Sequence, residues 1–512
     1  MNMKNIFSKI LVFGAASLLL AACEMNLNPT TAIVYDENEA VIQKASDLTA
    51  FESNILANFR GTQGGFYYLL SDVMCDAFNA AEGYGNNYGP IHRTNKDFTA
   101  SDQDVEAFWG NYYIVIKNYN IAINAANTIE NAELRNEAKI MKGEAFLFRA
   151  YTYLQLARHF GKDYDPATAA TDLCVPLVTV YDQAARPSRA SVQEIYDQIG
   201  KDLDSAAVLL AGVPGAPLAQ KPTIDLVKAM QARYYLDIEN YTKAAELAQG
   251  LIDSGLYPLA TTKAGLEDVY VKDKGTEAIV QMYASKDESP NTLDAYTGFG
   301  SVAGVGNVFR PYFLPSKKLV DSYEASDFRG QLWLTNTTGT KLYINAAAHG
   351  YADLYVFVKY FGNGQYTANG LPNGGTAIKP VKMDEIYLIA AEAYLKAGDN
   401  AKAKTALNAL QTSRGATATV ASEATIQDEW FKETVGDGLR MSCLKRWGVG
   451  FADRAAQPTA LTNKLVVTGD YFELKKADPK TDHYFQWPVP SYEIQVNSNL
   501  EQNPGYAANA TE

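Results

Sequence analysis

Histidine and cysteine are both scarce in this chain of 512 residues, with four of each. The scarcity excludes much chemistry. Beyond Cys23 the cysteines are Cys75, Cys174 and Cys443, an odd number too small for a disulfide framework. A single disulfide is allowed but not predicted. The histidines His92, His159, His349 and His483 stand in no H-E-x-x-H pattern, and the chain has no G-x-S-x-G elbow, no paired C-x-x-C and no phosphate-cradling loop. Asp72 and Asp76, four residues apart without a further ligand cluster, do not make a metal site. No cofactor, metal or catalytic residue is therefore expected. An enzyme reading would rest on a carboxylate pair for glycoside cleavage, whose members can lie far apart along the chain.

Basic charge and long apolar runs are also in short supply. Lysine and arginine total 45 against 58 acids, which argues against nucleic acid as a partner. After the first 22 residues no stretch approaches the roughly 20 apolar residues of a membrane helix. Those first residues carry Lys4 and Lys9 and then an apolar run from Ile10 to Ala22, the layout of a signal peptide. Its removal takes two lysines and no acids, leaving 43 basic and 58 acidic side chains, a net of −15. Leu20-Ala21-Ala22-Cys23 resembles the bacterial lipobox, in which Cys23 would be acylated and become the first mature residue. Each buried methylene of such an anchor adds about 0.8 kcal/mol, so several chains give durable attachment.

Tyrosine and helical repeats are what the chain has in plenty. There are 33 tyrosines against 5 tryptophans, suited to amphipathic rings at core edges and surfaces. Ala150-x-x-Tyr153-Leu154, Ala232-x-x-Tyr235-Leu236 and Ala391-x-x-Tyr394-Leu395 share one pattern. The second and third stay in register: Lys243-Ala244 matches Lys402-Ala403, Leu251 matches Leu410 and Ser254 matches Ser413, all offset by 159. Small alanine one turn from tyrosine lets helices approach closely, as in tetratricopeptide helix pairs, with insertions between the pairs. Further helices are predicted over 105–129, 137–160 and 191–210, the last opened by a Ser191/Glu194 capping box. Loops are expected over 82–99, 285–310 and 334–379, with short strands at Leu342-Tyr-Ile and Tyr355-Val-Phe-Val. In the first loop, Gly83-Tyr84-Gly85-Asn86-Asn87-Tyr88-Gly89 combines rings with amides. Sugars present C–H faces that stack on such rings and hydroxyl rims that bond to Asn and Arg. Tyr84, Asn86, Asn87 and Tyr88 are therefore candidate ligand residues.

Several segments together resemble the SusD/RagB family, outer-membrane lipoproteins that Bacteroidetes pair with a TonB-dependent transporter. They are Lys142-Gly-Glu-Ala-Phe-Leu-Phe-Arg149-Ala-Tyr151 with Ala157-Arg158-His-Phe160-Gly161, Arg189-Ala-Ser-Val192 through Asp202-Leu203, Glu385 through Tyr394, Gly438-Leu-Arg440 with Leu444-Lys-Arg-Trp447-Gly448, and Trp487-Pro-Val-Pro490 with Asn499 through Tyr506. Two positions depart from the pattern. Val435-Gly-Asp437-Gly438 stands where relatives carry E-G-x-R, and only Glu24 supplies acid after Cys23.

The resemblance implies a mainly α SusD-like fold with four tetratricopeptide-like helix pairs and a loop-rich ligand side holding a few short strands. It implies a signal peptide at 1–22, an N-terminal part over 23–255 and a C-terminal part over 256–512, continuous with the first. It also implies a non-enzymatic, lipid-anchored outer-membrane protein, facing the exterior, that captures oligosaccharide for a SusC-like TonB-dependent transporter. A peptide-capturing member of the family is the alternative, and an outer-membrane enzyme a more remote one. In such proteins ligand contacts come from the loop containing Tyr84 and from loops before the segment seen here as Pro315-Ser316. The second place adds Tyr296, Phe299 and Arg310 as candidates, whereas Phe309 and Tyr312, which flank Pro311 closely, are expected to pack. Trp447, Trp487 and His159 fall in scaffold motifs and are expected in the core.

Overall fold

The computed structural model describes residues 41–507 except 96, 289–291, 337–339, 350–353, 453, 460 and 468–472. Cys23 and the segment 1–22 lie outside the described residues. The frame is helical: α1 (Ala45–Gly61), α2 (Phe66–Val73), then strand β1 (Phe78–Ala80), α3 (Gln103–Asn127), α4 (Arg135–Phe160), α5 (Val192–Leu209), α6 (Ile224–Asp237) and α7 (Tyr241–Ser254). A long insertion follows, carrying β2 (Gly300–Val302), β3 (Gly306–Phe309), β4 (Phe313–Pro315), β5 (Lys341–Ile344) and β6 (Ala347–His349). The helical frame resumes with α8 (Met383–Lys396), α9 (Asn400–Ser413) and α10 (Glu423–Thr434).

Apolar spacing explains the helices. On α3, Phe108, Tyr112, Val115, Tyr119 and Ala122 recur at three- and four-residue steps, and all are buried. α5 opens on the expected box: Ser191 Oγ accepts the Glu194 amide hydrogen, and the Glu194 carboxylate accepts from the Ser191 amide. Successive helices from α3 to α9 pack on their neighbours, and α10 closes on α8.

The internal repeat is closer than its motif suggests. α6 and α7 begin and end 159 residues before α8 and α9 at all four boundaries. Their caps obey the same offset, because Asn240 accepts from the Lys243 amide and Asp399 from the Lys402 amide. Even the left-handed turn residue is in register, glycine in one copy at Gly398 (φ 85°) and Glu239 (φ 60°) in the other. Tyr394 ties the copies together by donating from its hydroxyl to Gln249 Oε1 at 3.2 Å.

One hydrophobic cluster runs from Ile42 to Leu500 and joins early and late parts of the chain. Buried ion pairs fasten it: Arg149 to Asp202, Arg158 to Asp237 and Arg233 to Glu385, each through two guanidinium N–H groups. Trp487 is sealed in the core, as expected. Trp447 is not: it lies half-buried at the core edge and donates from Nε1 to Glu392 at 2.9 Å. His159 is buried against Trp487 and shares its Nδ1 with the Gln155 carbonyl (2.8 Å), and burial pushes its pKa down to about 3. Cys75, Cys174 and Cys443 are buried free thiols.

Within the insertion the strands form a sheet of order β2-β3-β5-β6, antiparallel except for β3 beside β5. β4 pairs antiparallel with β1, Phe313 opposite Ala80, and so brings the insertion to the root of the loop after β1. The strand predicted at Tyr355-Val-Phe-Val shortens to Val356–Phe357, which pairs with Leu334–Thr335.

Candidate ligand-binding site

The loop 82–89 is gripped at its stem from two directions. The Ala81 amide donates to the Tyr312 carbonyl (2.8 Å) and the Glu82 amide to the Leu465 carbonyl (2.8 Å). Beyond the stem, three of four successive residues take left-handed backbone: Gly85 (φ 62°), Asn86 (φ 59°) and Tyr88 (φ 59°). Glycine and asparagine accept that conformation readily, but tyrosine does so at a cost of about 1–3 kcal/mol. The following residues hold it. The Gly89 amide donates to the Asn86 carbonyl (2.9 Å) and His92 to the Tyr88 carbonyl (2.9 Å), starting a short helix over Gly89–Arg93. A side chain on Gly89 would meet Asn86 Oδ1 at 2.1 Å and Arg93 Nη1 at 2.8 Å, so any other residue there would displace the side chains of the tip.

Arg93 organises the tip. Its Nη1 donates to the Tyr84 hydroxyl (2.9 Å) and to Asn86 Oδ1 (2.7 Å), while the Tyr84 hydroxyl donates to the same Asn86 oxygen (3.2 Å). Asn87 donates from its amide nitrogen to the Tyr84 carbonyl at 2.5 Å. Tyr84 and Tyr88 are both partly exposed, with ring edges leaning on Phe313 (6.3 Å) and Phe66 (6.3 Å) respectively. Burial, then Asp104 and Tyr312, raise the Tyr88 phenol above its ordinary pKa, keeping it a neutral donor. Asp104 itself is pushed up to about 6 by burial and by Asp102.

Two expectations for the neighbouring segment need correction. Tyr296 does not face solvent: its ring stacks on Phe78 (centroids 4.5 Å apart) and is 1% exposed, because the turn Asp294–Tyr296 folds inward beneath β4. Tyr312, expected to pack, is 36% exposed. It precedes β4, and strand alternation turns it outward while Phe313 turns in. Arg310 is exposed, its amide donating to the Thr297 carbonyl at 2.8 Å. Phe309 is buried as expected. Phe299 stands apart from the loop, tilted against Phe309 (5.2 Å) and edge-on to Phe361 (4.9 Å) on the wall of a separate cleft.

The surface near the loop thus brings together Tyr84, Tyr88, Asn86, Asn87 and Tyr312, braced by Arg93. Sequence reasoning missed Arg93, although Gly89-Pro90 is a helix-start signal that would have curled Arg93 back over the loop. The arrangement offers ring faces and fixed hydrogen-bonding groups, the requirements for holding a polyhydroxylated ligand.

Several buried acids elsewhere are already paired. Among the described residues, Glu277, Asp384 and Glu433 approach closely enough to suggest a cation site. Arginine already fills it: Arg414 reaches Glu433 (2.9 Å) and Glu277 (3.2 Å), and Arg329 reaches Glu433 (2.8 Å). Burial works to raise the Glu433 pKa, but Arg414 and Arg329 outweigh it and hold the carboxyl far below its ordinary range. Asp76 is bound by Arg440 through two bonds of 2.8 Å, and Asp72 accepts from the Gly438 amide (3.2 Å). Asp437, the position that departs from the family pattern, accepts from Lys359 (3.2 Å) and Lys382 (3.3 Å).

Known proteins agree with this architecture. Residues 26–236 match a family model of SusD-like proteins described as starch-binding and associating with the outer membrane, and residues 330–506 match the SusD family model. SusD-like protein P2 of Formosa agariphila is 25% identical over 447 residues, covering 80% of this chain and 83% of that protein. A SusD superfamily crystal structure from Bacteroides thetaiotaomicron superposes with a TM-score of 0.71 at 23% identity, covering 89% of this chain and 99% of the other. A laminarin-binding SusD-like protein gives 0.67 at 20% identity, covering 91% and 100%. No described helix is long and apolar enough to cross a membrane. With its helical frame, its small sheets and both family models matched in order along the sequence, the chain belongs to the SusD/RagB family.

Proposed function

We propose that this protein is a cell-surface lipoprotein that captures a neutral oligosaccharide and hands it to a SusC-like TonB-dependent transporter in the outer membrane, without cutting it. The observation that carries the reading is the partly exposed pair Tyr84 and Tyr88, fixed beside Asn86, Asn87 and Arg93 on a conformationally demanding loop. Ring faces held in advance lose little freedom on binding, which favours affinity. Arg310 and the outward Tyr312 extend the same surface. A similar fold in a protein named as laminarin-binding supports a glycan as ligand. Lipidation of Cys23 supplies the anchor and leaves the folded body outside the membrane, and the parts 23–255 and 256–512 act as one unit. Non-catalytic capture fits acids that are locked to arginine and lysine through the scaffold.

Isothermal calorimetry with maltohexaose, laminarihexaose and a pool of short peptides tests the ligand class. Saturable heat with a glycan and unchanged glycan length after prolonged incubation are expected. Heat with peptides alone would reassign the protein to peptide capture, and shortened glycans would make it an enzyme.

A further inference from the structure

The insertion encloses a cleft of about 840 Å³ that none of the loop residues 82–93 lines. That volume lies in the range of pockets that bury small ligands. Its wall carries Phe299, Phe361 and Tyr355, all partly exposed, with Leu334 and Val358 between them. Phe299 and Phe361 meet edge-on at 4.9 Å, so the wall presents both a ring face and a ring edge.

The rim differs from the tied loop tip. Tyr355, Thr340 and Lys263 each line the cleft, and neither the two hydroxyls nor the ammonium makes a hydrogen bond to a described residue. Gln331 donates from its amide nitrogen to the Ala325 carbonyl (2.8 Å), leaving its side-chain oxygen for a ligand. Among the described residues the one acid on the rim is Glu324, which spends its carboxylate on the Thr417 amide and hydroxyl, and these hold its pKa below the ordinary range. Among the described residues one ammonium and one carboxylate balance, so this lining selects no net charge.

Each class of small ligand makes a different demand. A phosphate or carboxylate ligand would need clustered cations, and among the described residues of the lining only Lys263 is present, offset by Glu324. An acyl chain would leave three hydroxyl or amide groups and an ammonium unsatisfied. A pyranose chain uses both features: its C–H faces lie on the rings while its hydroxyls bond with Tyr355, Thr340, Gln331 and Lys263. We infer that this cleft is a second carbohydrate site, separate from the Tyr84 loop and taking a short neutral oligosaccharide. The inference rests on the glycan reading above. Phe299 and Phe361 pack against the same small cluster that holds Ala81 at the root of the loop, so one chain carries two sugar-facing surfaces on a shared foundation.

Hydrogen exchange with mass spectrometry on the purified full chain, with and without millimolar maltohexaose or laminarihexaose, resolves the two sites. Protection is expected over 331–335 and 355–361 as well as over 83–89. The double variant Tyr84→Ala/Tyr88→Ala should keep the protection at the cleft, with apparent affinity there unchanged within twofold. Tyr355→Ala should weaken it at least tenfold. Thr340→Trp, which crowds the rim without opening the core, should do the same and guards against misfolding of the first variant. Glycan protection confined to 83–89 would overturn the second site while leaving the glycan reading intact. Protection at neither place by any glycan would overturn both. Protection of the cleft by penta-alanine in place of the glycans would overturn the ligand class.

Discussion

The scaffold and the loop 82–93 are both held by arginine, but in opposite surroundings. Arg329 and Arg414 are wholly buried and share Glu433 between them, whereas Arg93 works at the surface on a tyrosine hydroxyl and an asparagine oxygen. In the interior, removing one partner strands an opposite charge away from water. At the surface, water replaces whatever is lost. The frame is thus intolerant of change where it is charged, and the loop can alter its polar contacts at modest cost. Among the described residues Glu144 on α4 stands apart: it is fully buried and neither carboxylate oxygen has a hydrogen-bond partner.

The sharpest way to break the comparison is Arg414→Met. It should cost about 3–5 kcal/mol in denaturant unfolding by leaving Glu433 and Glu277 undercompensated. A loss below 1 kcal/mol would mean the buried network contributes little. Glu144 gives the next effect. Burial foremost, then Glu52, pushes its pKa up to about 8 from an unfolded value near 4.5. The native state therefore binds the extra proton, and stability falls as pH rises from about 4.5 to 8. Glu144→Gln should remove this slope, gaining on the order of 2–4 kcal/mol at pH 8 relative to pH 5; parallel pH profiles of wild type and variant would contradict it. Tyr84→Ala should weaken glycan binding by roughly 1–3 kcal/mol in calorimetry and leave the melting temperature nearly unchanged. Arg93→Ala should cost about 1 kcal/mol of binding and speed hydrogen exchange at Asn87 and Gly89, with no change in global unfolding. The smallest change, Glu239→Gly, should stabilise by about 0.5–1 kcal/mol because it gives the first repeat the glycine its partner already has at the left-handed turn. Unaltered or lower stability would show that Glu239 is at ease there.

Periodic features were legible in the sequence and contacts between distant segments were not. The Ser191 cap, the stripe from Phe108 to Ala122 and the 159-residue register are local or repeated signals, and each reached the structure with boundaries within two residues. Tyr84 and Tyr88 were readable as partly exposed because glycines flank them. Tyr296 was misread because the resemblance places ligand contacts in the loops before Pro315-Ser316, while its burial depends on Phe78, more than two hundred residues earlier. Tyr312 carried a usable clue in the alternation toward Phe313, which the adjacent proline masked. The cleft had no linear trace, since Lys263, Phe299, Gln331 and Phe361 meet only after the insertion folds.

The matched hairpins on either side of that insertion have an evolutionary consequence. α7 leaves and α8 returns as packed neighbours, so residues 255–382 start and finish at one doorway. Lengthening a segment whose ends are already pinned together adds only about 0.6 kcal/mol for each doubling. Strands, turns and whole cleft walls can be exchanged through that doorway, while the matched helices behind it need not move.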